Sequence, residues 1–479
     1  MAIVETLIYT VGSIAGAGFW KYGILAVMPF LWFWLNLRYG LGDFDIPTIG
    51  VPPRLLGPWI APYNWMKNSP HLIREGMAKY GARGLPFKIR SPSRWMVFVN
   101  KPTIIDELIR LPKNVASSSA ALDDIFFTQF TMYKDAASDP PFAEIVLKQL
   151  SGRCWEFMPL AVEEVKMAWD EKTKIGEEWT GVPVWEVFIQ LAARAVIRSI
   201  IGAPLCRNQE LLDNIIAYAE GVIMHSELLE IIPATLRPFV NKFIFRNKPL
   251  DVCMSYFGPI FQERRNLMKD GKYSGNVKPD DGFQWVIDTC PPDTTIERMV
   301  KKLLFIFTAG IRTTAVAGTH CVHDIAAMPH FQGPAREEIA QEPGAASTVK
   351  ETKEAWAPMR KLDSVLRESA RMNRTHLGTV MRKFMVPYTF SDGMEIPKGA
   401  WVVGASSTIH RTNIYEDPDT FDGFRFSRMR EEAGIGDRFQ LTGTSREFLA
   451  WGGWGACVPG QVLCGDAVEG YICIAFTEL

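Results

Sequence analysis

Apolar residues run from Leu7 to Leu37 with Lys21 as the only charge, and Arg38 closes the stretch. Crossing a hydrocarbon core of roughly 30 Å takes about 20 apolar residues, so this run is long enough for one membrane span. No basic segment precedes it and a cation follows it, which favours a retained anchor over a cleaved signal peptide and places the rest of the chain in the cytoplasm. Either Val4 to Trp20 or Tyr22 to Leu37 supplies the span. Asp45 to Pro53 then carries three prolines, whose fixed φ predicts a stiff, non-helical hinge. From about residue 143 to 285 the apolar positions recur at helical spacing, with breaks at Gly202-Ala203-Pro204 and Ile232-Pro233. A long helix follows Pro291-Pro292-Asp293. Thr294 and Glu297 make a capping-box pattern, and apolar character continues to Met328 before Pro329. Some 35 residues at 1.5 Å each would reach about 50 Å, across a whole domain. Another helix runs through Leu362, Val365 and Leu366 to Met372. After Gly378 the pattern changes to short strands, at Thr379 to Phe384, Tyr388 to Phe390, Met394 to Ile396 and Ala400 to Ala405, with turns at Ser391-Asp392-Gly393 and Pro397-Lys398-Gly399. The fold class is therefore mainly α with a small β-sheet (α+β). The chain divides into an N-terminal anchor (1–40), a proline-rich hinge (41–53) and a single domain (54–479) with an atypical tail after about residue 453.

Composition narrows the function classes. The chain has 479 residues, 47% of them apolar, which gives ample core. A formal net charge of −1 leaves no electrostatic case for nucleic-acid binding. Eight cysteines lie singly, without zinc-type pairs, as in a reducing compartment, and no Cys-x-x-Cys-His attaches a c-type haem. An integral-membrane bundle would need further spans, and no apolar run of the required length occurs beyond Leu37.

Three groups of residues carry chemistry. Glu368-Ser369-Ala370-Arg371 sets a carboxylate and a guanidinium three apart on one helical face, and Arg425 follows in Phe421-Asp422-Gly423-Phe424-Arg425-Phe426. The long helix contains Ala309-Gly310-Ile311-Arg312-Thr313-Thr314, and Trp451 to Gly460 is a glycine-rich loop around Cys457. In this order the elements resemble the cytochrome P-450 superfamily of haem-thiolate monooxygenases. The likeness to fungal secondary-metabolism and terpenoid-oxidising members is carried by Phe421 to Glu432 and Ile396 to Gly399.

That resemblance implies haem b (heme, iron-protoporphyrin IX) as cofactor and a buried triad of Glu368, Arg371 and Arg425. It implies an oxygen groove at Ala309 and Gly310 with Thr313 relaying protons, and a propionate-binding arginine at Arg382. Trp451, Gly452 and Gly460 would frame the ligand loop, and Cys457 would be the metal ligand. O2, an apolar substrate, membrane lipid and NADPH-cytochrome P-450 reductase would be the partners, at the endoplasmic reticulum membrane. One departure is plain: Arg312 occupies a position usually acidic in the family. His410-Arg411 begins a segment that also resembles the family, and His410 reads as a packed strand-end histidine rather than a ligand. The loop itself is out of step: Trp451-Gly452 and Pro459-Gly460 fit the family pattern, but Val458 stands where the thiolate belongs and Cys457 is one residue early. Read one nucleotide later, the codons for Ala456 to Asp466 can encode His, Ala, Cys, Pro, Gly, Arg, Phe, Phe, Ala, Val and Met, a family-like continuation. A frame slip near Gly453 to Ala456 is the expectation. If the printed tail is genuine, an inactive or unstable relative is the alternative, and a haem isomerase or dehydratase needing no reductase is a third reading.

Overall fold

Stretches more than 280 residues apart share one sheet. The structure, a computed structural model, describes residues 45–51, 57–139, 145, 149–150, 153–174, 180–244, 247–271, 278–341, 359–373, 378–405, 415–433, 439–441, 443 and 448. The expected anchor, His410 and the loop from Trp451 to Gly460 lie outside the described residues. The strands are β1 (Thr48–Ile49), β2 (Phe87–Arg90), β3 (Trp95–Val99), β4 (Ala116–Ser117), β5 (Gly378–Phe384), β6 (Tyr388–Thr389), β7 (Glu395–Ile396) and β8 (Trp401–Ala405). Six form a mixed sheet in the order β1-β2-β3-β8-β5-β4, and β6 pairs with β7 as a separate hairpin. β8 lies parallel to β3, with Val97 opposite Val402, and antiparallel to β5, with Arg382 opposite Val402.

The late strands fall where the short segments between turn residues expect them. The early ones, β2 and β3, were not anticipated: Trp95 to Val99 is apolar throughout because both its faces are covered, and Phe87-Lys88-Ile89-Arg90 alternates over only four residues. Val97, Val99 and Val402 pack with Ile104, Ile105 and Leu108 on one face, and Phe87, Ile89, Phe98 and Trp401 with Leu72 and Ile73 on the other. In the segment expected as a hinge, Thr48 and Ile49 pair parallel with Lys88 and Ile89, while Ile46 and Ile49 are buried. Proline suits this edge because the outer side of β1 needs no ladder donor.

The helices are α1 (Gly57–Lys79), α2 (Pro102–Arg110), α3 (Ser118–Ile125), α4 (Thr128–Thr131), α5 (Cys154–Thr173), α6 (Val184–Ile201), α7 (Gln209–Ile231), α8 (Arg237–Ile244), α9 (Lys248–Lys269), α10 (Gly282–Thr289), α11 (Ile296–Ala327), α12 (Gln332–Gln341), α13 (Arg360–Met372) and α14 (Arg425–Ala433). α6 and α7 end at the two predicted breaks. α11 begins one residue later than the capping-box pattern suggests: Thr295 is the N-cap and accepts from the Arg298 N–H, while Thr294 closes the preceding turn on Pro291. Its 32 residues pass through the largest apolar cluster, shared with α5, α6, α7, α9 and α10. Met299, Val300, Leu303, Leu304, Phe307, Ile311 and Ala315 are buried along it, as expected of a central helix. Among the described residues no helix is long and apolar enough to cross a membrane.

Candidate active site

α13 buries charge where most helices bury hydrocarbon. Asp363, Ser364, Arg367, Glu368 and Arg371 recur at i, i+1, i+4, i+5 and i+8, which places them on one face. None of the five is more than 8% exposed. Leu362, Val365 and Leu366 pack in an apolar cluster with Cys321 and Ile325 of α11. The polar stripe meets the chain from Tyr415 to Phe448. Arg371 grips Glu368 bidentately, Nε to Oε2 at 2.7 Å and Nη2 to Oε1 at 2.8 Å, and Arg425 Nε donates to Oε1 at 3.2 Å. The two guanidinium groups also donate to main-chain carbonyls: Arg371 to Pro418 at 2.6 Å, and Arg425 to Thr420 at 3.0 Å and to Glu416. The Asp422 N–H closes the arrangement on Glu368 Oε1 at 3.0 Å. Planar forks held by one carboxylate and several carbonyls fix a turn in position and orientation, which a point charge does poorly.

The other three members of the stripe extend the grip. Ser364 Oγ accepts from the N–H groups of Phe426 and Ser427, both at 3.0 Å, at the start of α14. Asp363 accepts from Arg430 at 3.1 Å and from the Leu441 N–H at 2.8 Å. Arg367 donates to the carbonyls of Gln440 and Gly443. Sequence reasoning found Glu368 and Arg371 and missed these three. Their helical recurrence was the available signal, but polar residues at that spacing ordinarily mark a solvated face.

α11 opens at the predicted groove. Lys302 to Thr308 are all buried, and then Ala309 and Thr313, one turn apart on one face, are exposed. Thr313 Oγ1 donates to the Ala309 carbonyl at 2.8 Å, leaving its lone pairs available to accept. Thr314 is buried. At Gly310 an added Cβ would lie 3.3 and 3.4 Å from the Val196 methyls, so this glycine sits against α6. Arg312 points to α7, where Nη1 meets Glu220 at 3.2 Å, and its guanidinium lies 5.6 Å over the Trp185 ring. Glu220 is a further carboxylate that local motif reading could not find, because its partner lies 92 residues away.

Arg382 projects from β5 into main-chain carbonyls: Ile109 and Ala116 at 2.9 Å and Leu111 at 3.2 Å. Burial lowers its pKa, and its Nε is buried without a hydrogen-bond partner. An orphaned guanidinium N–H is the donor that a carboxylate of a prosthetic group would satisfy. Among the described residues no three His, Cys, Asp or Glu side chains cluster to hold a metal ion. A haem iron needs a single protein ligand rather than such a cluster, and the resemblance expects it from Cys457, outside the described residues. The open Ala309–Thr313 face, the Arg382 Nε and the clamp on residues 415–443 fit a haem; Cys457 fits only with its one-residue offset.

Comparison with known proteins agrees with this arrangement. A family model described as cytochrome P450 matches residues 52–453. Cytochrome P450 monooxygenase 71 of Postia placenta is 30% identical over 450 residues, covering 92% of this chain and 86% of that protein. Cytochrome P450 monooxygenases janQ and janP of Penicillium janthinellum are 27% and 29% identical, covering 93% and 96% of this chain and 90% and 89% of their own lengths. With the match running through α11, α13, β5 and α14, the chain belongs to the cytochrome P450 family, oxidoreductases that carry haem b and act as monooxygenases on O2 and an organic substrate with electrons from a redox partner.

Proposed function

We propose that the enzyme hydroxylates an apolar small molecule, a terpenoid of a fungal secondary pathway, and draws electrons from NADPH through a separate cytochrome P-450 reductase. Residues within 4–37 anchor it in the endoplasmic reticulum membrane with the catalytic domain in the cytoplasm. The observation that carries this reading is the Ala309–Thr313 face, a small residue and a hydroxyl exposed together on a helix otherwise packed in hydrocarbon. The fungal character of its relatives supports the pathway class.

Bound haem supplies the activation of O2 and the insertion of one oxygen atom into a C–H bond. Thr313 supplies a hydroxyl that can accept from water while donating to Ala309, a relay for protons entering the site. Arg312, paired with Glu220, supplies no carboxylate at the neighbouring position, so that relay depends on Thr313 and water. Arg382 offers Nε to a propionate, and the Glu368 network holds the turn on the way to the ligand loop. Expression with a reductase, NADPH and a terpenoid panel tests the proposal. Label from 18O2 should enter product, and Thr313→Ala should lower product formed per NADPH by about tenfold or more. Product formed without NADPH would instead establish the isomerase or dehydratase reading.

The offset of Cys457 favours a second reading, a relative whose ligand loop is disrupted. The family match reaches Gly453, where the frame slip is expected. Long-read sequencing of the transcript separates the two. A message carrying the shifted frame restores the enzyme reading, and a clean message for the printed tail leaves the inactive relative.

A further inference from the structure

From the geometry of α13 we infer that Arg367 is a positioning residue, which sets the path of the chain into the ligand loop independently of the Glu368 network. The inference rests on the haem-thiolate reading of that loop. Arg367 is 1% exposed and is among the largest fully buried side chains. Its hydrogen bonds run from Nη1 to the carbonyls of Gln440 and Gly443, the latter at 2.9 Å, and its Nε is buried without a partner. The guanidinium carbon sits 3.7 Å from the Phe448 ring centroid and 4.8 Å from that of Phe426. Burial pushes its pKa down to about 10.

A buried cation held by carbonyls and aromatic faces is an expensive way to fill space, because carbonyls and rings offset less of its desolvation than a carboxylate would. What the arrangement provides is directional. A planar guanidinium can stack on Phe448 while donating in its own plane to the carbonyls of Gln440 and Gly443, so it fixes both the distance and the rotation of these contacts. The Glu368 network grips residues 416–422, which precede α14 in the chain. Arg367, with Asp363 on the Leu441 N–H, grips residues that follow α14, and Phe448 lies three residues before Trp451. The two clamps therefore hold successive parts of one path: the first sets the turn, the second aims the chain that carries the ligand.

Hydrogen–deuterium exchange on the full chain tests this without haem. Arg367→Lys keeps the charge and loses the fork and the stacking plane. Exchange in peptides spanning 439–448 should rise about tenfold or more, the loss of charge-assisted hydrogen bonds, while peptides in α11 and at residues 416–422 stay unchanged. Phe448→Leu removes the stacking face with the cation intact, and should give the same local pattern; it decides the matter if the lysine variant fails to fold. Exchange unchanged at 439–448, or raised uniformly across the domain, would overturn the inference. A second arm adds haem and reads the reduced CO spectrum: Arg367→Lys should shift absorption from the thiolate form toward a neutral-thiol form at equal haem content. No haem uptake by the parent chain defeats the haem-thiolate reading, and the exchange pattern still decides the placement of Arg367.

Discussion

At Glu368 a single carboxylate balances two guanidinium groups, and none of the three residues is more than 6% exposed. Removing that carboxylate takes the shared counter-charge from two buried cations. Glu368→Gln is therefore expected to cost about 3–5 kcal/mol, read from urea midpoints at unchanged m-value, whereas a loss under 1 kcal/mol would mean that the arginines are held without the Glu368 charge. Glycines on α11 separate by distance. A Cβ at Gly318 would lie 2.5 Å from Phe188 Cδ1, so Gly318→Ala should destabilise by about 1–3 kcal/mol even though alanine gains about 1 kcal/mol of helix propensity. At Gly310, where the nearest contact is 3.3 Å, the two effects offset and Gly310→Ala should be close to neutral; equal losses at both sites would refute the distinction. The sequence shows such positions unevenly. Glu368 and Arg371 are visible because their spacing is a motif, but Arg367 and Ser364 are not, since burial of a polar residue depends on residues 426–443 folding over it.

Among elements, α5 and α6 are joined by Glu164, which is fully buried against Arg194 at 3.0 Å and Arg207 at 2.5 Å. Burial raises this carboxyl's pKa, but hydrogen bonds from Arg207 and Arg194 outweigh it and hold the value below the usual carboxylate range. The depressed folded value sets the sign: Glu164 contributes stability above the unfolded pKa of about 4.3, and the contribution is lost as pH falls through the folded value. Glu164→Gln should lower stability at pH 7 by about 3 kcal/mol and flatten the acid limb of a stability–pH curve. A parallel downward shift at every pH would remove Glu164 from acid unfolding. Helix boundaries at α6, α7 and α11 could be read in advance because Gly, Pro and Thr act locally. The pairing of β3 with β8 could not, because it joins residues about 300 apart and both faces are buried, which erases the period-two signal.

For the whole molecule, the cysteines report both packing and the state of the ligand loop. Burial pushes the thiol of Cys206 up to about 11, Cys253 to about 12 and Cys321 well above its ordinary value. All three are at most 1% exposed, so each stays a protonated, inaccessible thiol at neutral pH. A maleimide applied to the native full chain should leave them unlabelled and react with them only after denaturation; native labelling of any would show that the helical core opens. With those three silent, labelling at Cys457, assigned by peptide mapping apart from the half-buried Cys290 and the other cysteines, becomes informative. A thiolate that ligates iron cannot alkylate, so haem should protect Cys457 if the printed loop works as it stands. If haem changes labelling of Cys457 by less than about twofold, within ordinary variation in thiol access, the cysteine is no ligand. The same measurement on a chain carrying the shifted frame should then show protection at its cysteine, one position later. Protection in that chain and none in the printed one would assign the activity to the gene in its other frame. Protection in both would make a one-residue offset tolerable to the loop, and the alternative of an inactive relative would fall.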